Sequence, residues 1–295
     1  LNTIRLSYRV AMDAFYRFNA DDGWAIASHI ALSILMSMFP FLILVTAIAG
    51  FIGSRNLADE VARIIIAAWP REVSGGIAEQ IHDVLTTARG DILTLGAVFA
   101  VYFSSSGIES LRIGLNRAYG LHEPRPWYLL RLESIGYVLV GAIGLLALAF
   151  LVVLGPLIFK TALVHFHWLA SVESHYNIGR FTVATFVLTV ALMILHMWLP
   201  AGRRPIEQVW PGIVATLALW LACGFVFGRY LSDFSYAYVT YYAGLASAMI
   251  ALVFLYFVAW IFIYGGELNA AIARLREFSA QKRDAVQGQF SLIPK

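Results

Sequence analysis

The chain has 295 residues, 60% of them hydrophobic and 13% charged, with a mean hydropathy of +0.74. A soluble domain carries roughly 25% charged and about 45–50% apolar residues, so this much apolar surface exceeds what one soluble core encloses. The net charge of +3 and pI near 9.0 do not imply nucleic acid, because most Lys and Arg flank apolar runs and set topology there, and the single cysteine, Cys223, excludes an intramolecular disulfide.

The elements that follow predict an all-α polytopic membrane protein. Leu1 stands where a start methionine would, which predicts preceding residues, and the first apolar run is too long for a cleavable signal peptide. Residues 1–20 read as an amphipathic interfacial helix. Ile4, Tyr8, Met12 and Phe15 recur at helical spacing, and Arg5, Arg9 and Arg17 lie elsewhere on the wheel. A helix packed on its own protein has the same pattern. Asp21-Asp22-Gly23 then supplies a cap and a turn.

Residues 21–275 read as one six-span domain and 276–295 as a cytoplasmic tail. Span 1, about 25–53, carries His29, Ser33 and Ser37 at i, i+4, i+8, one polar stripe, and Pro40 predicts a kink. Residues 54–91 hold two short amphipathic helices, neither long enough to cross. Span 2, about 92–113, is the least apolar, with Ser104-Ser105-Ser106-Gly107, Glu109 and Arg112, and continues through Asn116 and Arg117. Span 3, about 132–159, exceeds the bilayer core, so it must tilt or break, with Gly155-Pro156 the break point. Span 4, about 181–199, ends near His196, and a basic turn with Arg203 and Arg204 leads to span 5, about 209–231. Tyr236, Tyr238, Tyr241 and Tyr242 predict an interfacial aromatic belt before span 6, about 244–266. Glu267, Leu268 and Asn269 follow, and the charge after Arg274 predicts a tail losing order towards Lys295.

With both ends inside, 14 of the 21 Lys and Arg fall in inner segments and 7 in outer ones. That bias sets the orientation. It gathers Glu109, Arg112, Asn116, Arg117, His196, Glu267 and Asn269 at the inner ends of spans. Ionisable groups at such depth cost roughly 2.5–3.5 kcal/mol each on insertion scales, and they face partners or a wet cavity. Glu109 with Arg112 is an i, i+3 pair, and Glu267 is expected to share that arginine. The cluster reads equally as glue between helices or as snorkelling at the interface. For His29, His196 and the serine run, packing is the better reading. In the outer loop His165, His167, Glu173 and His175 fit no familiar metal site, so no metal and no cofactor are expected. No P-loop is present, so the chain alone is not an ATP-driven pump.

Ala27 to Pro40 resembles the first-span motif of the YihY/BrkB family of bacterial inner-membrane proteins. Similar to that family too are Ser104-Ser105-Ser106-Gly107 with Leu115-Asn116-Arg117-Ala118-Tyr119-Gly120, Gly155-Pro156, Leu199-Pro200 with Arg203-Arg204, Trp210-Pro211-Gly212, and Gly265-Gly266-Glu267-Leu268-Asn269-Ala270. The match covers about residues 20–275, with His29 departing from the small residue more usual there. The resemblance implies a six-helix inner-membrane protein linked to envelope integrity and serum resistance, and suspected of moving lipids or lipid-linked envelope precursors. The family's older ribonuclease label does not suit this chain. An RNase needs an accessible acid/base set, and the inner connectors offer chiefly Glu123, Glu133 and Glu207.

The expected function is therefore transport of a lipid or lipid-linked precursor, by a non-enzyme of the bacterial inner membrane. Ser33, Ser37, Glu109, Arg112, Asn116, Arg117, Arg203, Arg204, Glu267 and Asn269 are the expected substrate-binding residues. Arginine forks suit phosphate headgroups, so the expected partner is anionic membrane lipid and not nucleic acid, with a second copy or an envelope protein as further partners. The alternatives are a non-transporting scaffold, whose polar cluster would be buried and fully paired, and a membrane-embedded hydrolase, which needs a nucleophile and base in one cavity.

Overall fold

The computed structural model describes residues 2–51, 90–149, 173–242 and 246–291. Among them are seven helices and no strand: α1 (Asn2–Ala20), α2 (Gly23–Phe51), α3 (Gly90–Ala118), α4 (Trp127–Ala149), α5 (Glu173–Trp198), α6 (Ile206–Tyr242) and α7 (Ala246–Ser291). The two amphipathic helices expected in 54–91 and the break at Gly155-Pro156 lie outside the described residues, as do His165 and His167.

Local chemistry ends the helices where the polar residues are needed. Asp22 takes a left-handed φ of 58° between α1 and α2, and its carbonyl accepts from Ile26 N at 3.0 Å to start α2. The C-terminus of α3 closes in a Schellman arrangement: Leu121 N reaches Asn116 O at 2.8 Å and Gly120 N reaches Arg117 O at 2.9 Å, with Gly120 at φ 64°. The α5–α6 connector turns at Gly202, φ 82°, a conformation that costs glycine nothing.

α7 lies at the centre, in contact with α1, α2, α3 and α6. Glycines set the registers. Gly107 faces Ile34 and Ser37, whereas Gly114 faces Ile26, Ile30 and Ile263. So α2 and α3 run antiparallel, and α3 and α7 parallel, with Gly266 against Leu115 and Ala118. α6 runs antiparallel to α7: Gly212 meets Gly265 and Asn269, and the indole of Trp220 donates to Val258 O at 3.0 Å. Ala27, Ile30, Leu115, Ala118, Ile213, Phe262 and Ile263 form the shared core.

Among the described residues three helices are long and apolar enough to cross a membrane, over Trp127–Leu148, Ile206–Asp233 and Ala248–Gln281, and Gly23–Met38 and Thr182–Trp198 are shorter apolar helices. On α6, Leu221 and Phe225 are 78% and 79% exposed, a surface suited to lipid rather than water.

α7 continues past Arg274 to Ser291, with Leu275 and Ser279 half-buried, and α6 continues past the expected end of span 5 to Tyr242. The amphipathic α1 packs on the bundle through Ala14 and Phe18, while Tyr8 and Tyr16 remain exposed. Phe18 and Trp24 meet Trp260, and the hydroxyl of Tyr264 donates to Ala11 O at 3.2 Å. The helix thus packs on its own protein through Ala14 and Phe18, whereas Tyr8 and Phe15 of the expected apolar stripe are exposed.

Candidate functional site

The C-terminal half of α3, the turn at 119–126, the start of α4 and the 199–205 connector meet at one end of the bundle. Arg112 is 2% exposed. It donates to Leu130 O at 3.2 Å and pairs with Glu133 at 3.4 Å. Glu133 also takes Arg125 at 2.7 Å. Arg125 in turn forks onto both oxygens of Glu123, at 2.7 and 2.8 Å, and its Nη2 also reaches Leu199 O at 3.3 Å. Asn116 closes the chain: its amide donates to Glu123 at 3.0 Å, and its Oδ1 accepts from Ala201 N at 2.7 Å. One network therefore ties α3, α4 and the α5–α6 connector together.

A second pair lies farther along the same two helices. Arg131 pairs with Glu109, donates to Tyr102 O at 2.8 Å and stacks 3.8 Å from the Tyr102 ring centre. The expected Glu109–Arg112 pair is thus replaced by two crossed pairs between α3 and α4. A carboxylate from a neighbouring helix ties two helices at once, which an i, i+3 pair on one helix does not.

Beside this network lies a cavity of about 530 Å³ lined by Arg125, Glu133, Tyr137, Trp198 and Arg203, among others. Arg203 is exposed at its rim and makes no ion pair among the described residues. Asn116 pins the connector that carries it, and Arg112 backs the wall through Glu133. The remaining expected residues lie elsewhere. Arg117 pairs with Asp22 at 3.2 Å in the open. Arg204 stacks 3.8 Å over the Tyr119 ring. Asn269 joins α6 to α3, accepting from Gly212 N at 2.6 Å and donating to the Tyr119 hydroxyl at 3.3 Å.

Ser37 is buried against Gly107 and donates to Ser33 O at 2.6 Å; His29 is exposed, so the stripe of span 1 does not face one place. His196 is buried with Nδ1 2.9 Å from Leu192 O and its ring against Phe262, a packing role. Glu267 does not share Arg112. It is coupled to Arg17 and Asp13 of α1 and to Asp21 in the turn after it, with Arg274 on its own helix. Among the described residues no group of three His, Cys, Asp or Glu is placed to hold a metal ion.

Sequence reasoning passed over Arg125, Tyr137 and Trp198, and treated Glu123 and Glu133 as connector acids. The signal was the Glu123-Pro124-Arg125-Pro126 run, where two prolines stiffen a turn and hold acid and base on one side.

The fork from Arg125 holds the Glu123 carboxyl at about 2, well below its ordinary 4.5, with the Asn116 amide helping against desolvation. A depressed folded-state value means that the stabilisation is full above pH ~4.5 and is lost as pH falls towards ~2. Thermal unfolding of the purified protein should therefore show a loss on the order of 1–2 kcal/mol in that window, after discounting for solvent screening. The same loss in Glu123→Gln would disprove this assignment.

Long apolar helices with exposed apolar flanks, closed at one end by an ion network beside an open cavity, define an α-helical integral membrane protein. The chain matches the description "Virulence factor BrkB" over residues 14–288 and belongs to that family. It is also 24% identical over 265 residues to YfkH of Bacillus subtilis (strain 168), covering 90% of this chain and 95% of that protein, whose "ribonuclease-like" label is provisional. No solved structure matches the chain.

Proposed function

We propose that the chain binds the phosphate-bearing headgroup of an anionic amphiphile in the cavity beside Arg203 and carries that amphiphile between leaflets of the bacterial inner membrane. In this reading six spans leave both chain ends in the cytoplasm, and the cavity opens at the inner leaflet. One observation carries it: a cavity of about 530 Å³ has at its rim a cation with no ion pair among the described residues, Arg203, while Arg125 in its wall is neutralised. Support also comes from the helices around it. Among the described residues α4 packs on α3 and α2, and α5 packs on α6. The cavity, lined from α4 by Tyr137 and from the end of α5 by Trp198, thus lies between two separately packed helices. Acyl chains would stay in lipid while the headgroup enters.

The pairing of Glu109, Glu123 and Glu133 with arginines favours a second reading, a non-transporting scaffold. A hydrolase reading, suggested only by the label of the Bacillus subtilis relative, has less support, because Glu109, Glu123 and Glu133 are each already held by arginine.

The test is leaflet exchange of a labelled anionic phospholipid, or of a lipid-linked sugar phosphate, in liposomes containing the purified protein. Pro205→Cys, exposed in the α5–α6 connector, in a Cys223→Ser background reports which side the connector faces. Exchange above protein-free liposomes is expected, reduced about tenfold in Arg203→Gln by loss of a charge-assisted hydrogen bond. Absence of exchange for every anionic lipid tried, in folded protein, would leave the scaffold as the function.

A further inference from the structure

Glu267 is 1% exposed, and its Oε2 has no hydrogen-bond partner among the described residues. The charged groups facing it are Asp13, Arg17 and Asp21 from α1 and the turn after it, and Arg274 from α7 itself; the Tyr119 hydroxyl, just past the end of α3, is coupled to it electrostatically. Both arginines are committed elsewhere. Arg274 Nη2 lies 3.3 Å from Asp13 and Arg17 Nε lies 3.6 Å from the same carboxylate. Asp13 thus holds the two cations that would otherwise neutralise Glu267.

Arg274 carries the complementary defect. Its Nε is buried with no acceptor among the described residues, and it stands seven residues after Glu267, two turns along the same face of α7. An orphan acceptor and an orphan donor therefore share one helix face, separated by an ion pair that reaches across to α1. A buried carboxylate with neither counter-ion nor donor is not sustained, and such a group takes up a proton instead.

We infer that Glu267 is a proton-binding site whose occupancy latches α1 to α7. With the proton bound, Glu267 needs no cation, and Arg274 stays on Asp13 and clamps α1. When the O–H bond breaks, the proton passes to water and the electron pair remains on the carboxylate. That carboxylate then draws Arg274 back along α7, and the clamp to Asp13 opens. The site is separate from the cavity at Arg203 and does not depend on what, if anything, is transported.

The test uses the full chain in lipid nanodiscs. Dicyclohexylcarbodiimide reacts with protonated carboxyl groups in apolar surroundings, and peptide mass spectrometry locates the adduct. An adduct on Glu267 that declines as pH rises is expected. Asp13→Asn releases Arg274 to pair with Glu267 and should lower the yield about tenfold at fixed pH, whereas Arg274→Gln should extend labelling to higher pH. Glu267→Gln keeps the shape of the neutral acid. It should fold normally and hold hydrogen exchange of α1 constant with pH, after correction for intrinsic rates, while in the wild type that exchange rises. A yield indifferent to pH or to Asp13→Asn overturns the site. So does absence of any adduct, if Glu267→Gln also removes no carboxylic acid band from the infrared spectrum. Unchanged α1 exchange in the wild type overturns the latch. None of these readouts requires lipid movement, so their failure is distinct from failure of the exchange assay.

Discussion

Gly212→Ala is expected to lose about 3–5 kcal/mol and to leave little folded protein in the membrane fraction. A β-carbon there would overlap the Gly265 carbonyl oxygen and the amide of Asn269. The first is backbone and cannot swing aside. Pushing Asn269 away also frees Gly212 N from its 2.6 Å hydrogen bond and leaves a buried donor without an acceptor. Gly265→Ala meets Thr216 and Gly212 in the same seam and should behave alike. Gly136 on α4, where an added β-carbon meets no described residue within 4 Å, provides the control. There alanine should be neutral or slightly stabilising, since it removes chain entropy without a clash. Size-exclusion profiles after graded heating would rank the three. Equal profiles for Gly212→Ala and Gly136→Ala would mean that α6 and α7 are not packed backbone to backbone.

Glu133→Gln should cost more than Arg112→Ala, although Glu133 is the more exposed partner, with side-chain exposures of 30% against 3%. Removing Arg112 leaves Glu133 with Arg125 at 2.7 Å, so the damage is a void and a Leu130 carbonyl without its donor. About 2–3 kcal/mol covers both. Removing the charge of Glu133 strips Arg112 of its counter-ion while it stays buried, a loss of about 3–5 kcal/mol. The same change weakens the hold on Arg125 and so the wall of the cavity. Thermal stability and leaflet exchange measured on both variants would check the order. Arg112→Ala proving the worse of the two would point to Glu109, not Glu133, as its true partner.

The sequence pattern carried the helices well and their pairings poorly. Apolar length alone marked α4, α6 and α7 as helices long enough to span, and the resemblance of the first and last motifs to the BrkB family was specific enough to hold over residues 14–288. Partners were another matter. Glu109 and Arg112 look paired on one helix, but their partners Arg131 and Glu133 come from α4. Nothing in a linear pattern states which turn of α4 stands beside which turn of α3. Glu267 shows the same limit from the other side. Its helix position is plain, but the face it turns to α1 depends on how α7 rotates between four neighbours. Asn116 was legible as polar and deep, yet its task, holding Ala201 and so aiming Arg203, depends on a contact across 85 residues.

The length of α7 has a mechanical consequence. A helix of 46 residues is about 69 Å long, more than twice the roughly 30 Å hydrocarbon core. From Asn269, held at the polar end by Gly212 and Tyr119, about 33 Å of rod continues to Ser291. Arg276 steadies it against Glu207 O at 3.2 Å, on the first turn of α6. With Asn269 as fulcrum, tilting the helix by about 5° would sweep the far end by roughly 3 Å. A shift too small to alter the packed seam at Gly212 and Gly265 would therefore reach the end of the rod as a displacement that a neighbouring molecule can feel, and the rod could equally carry a push on its tip back to the seam.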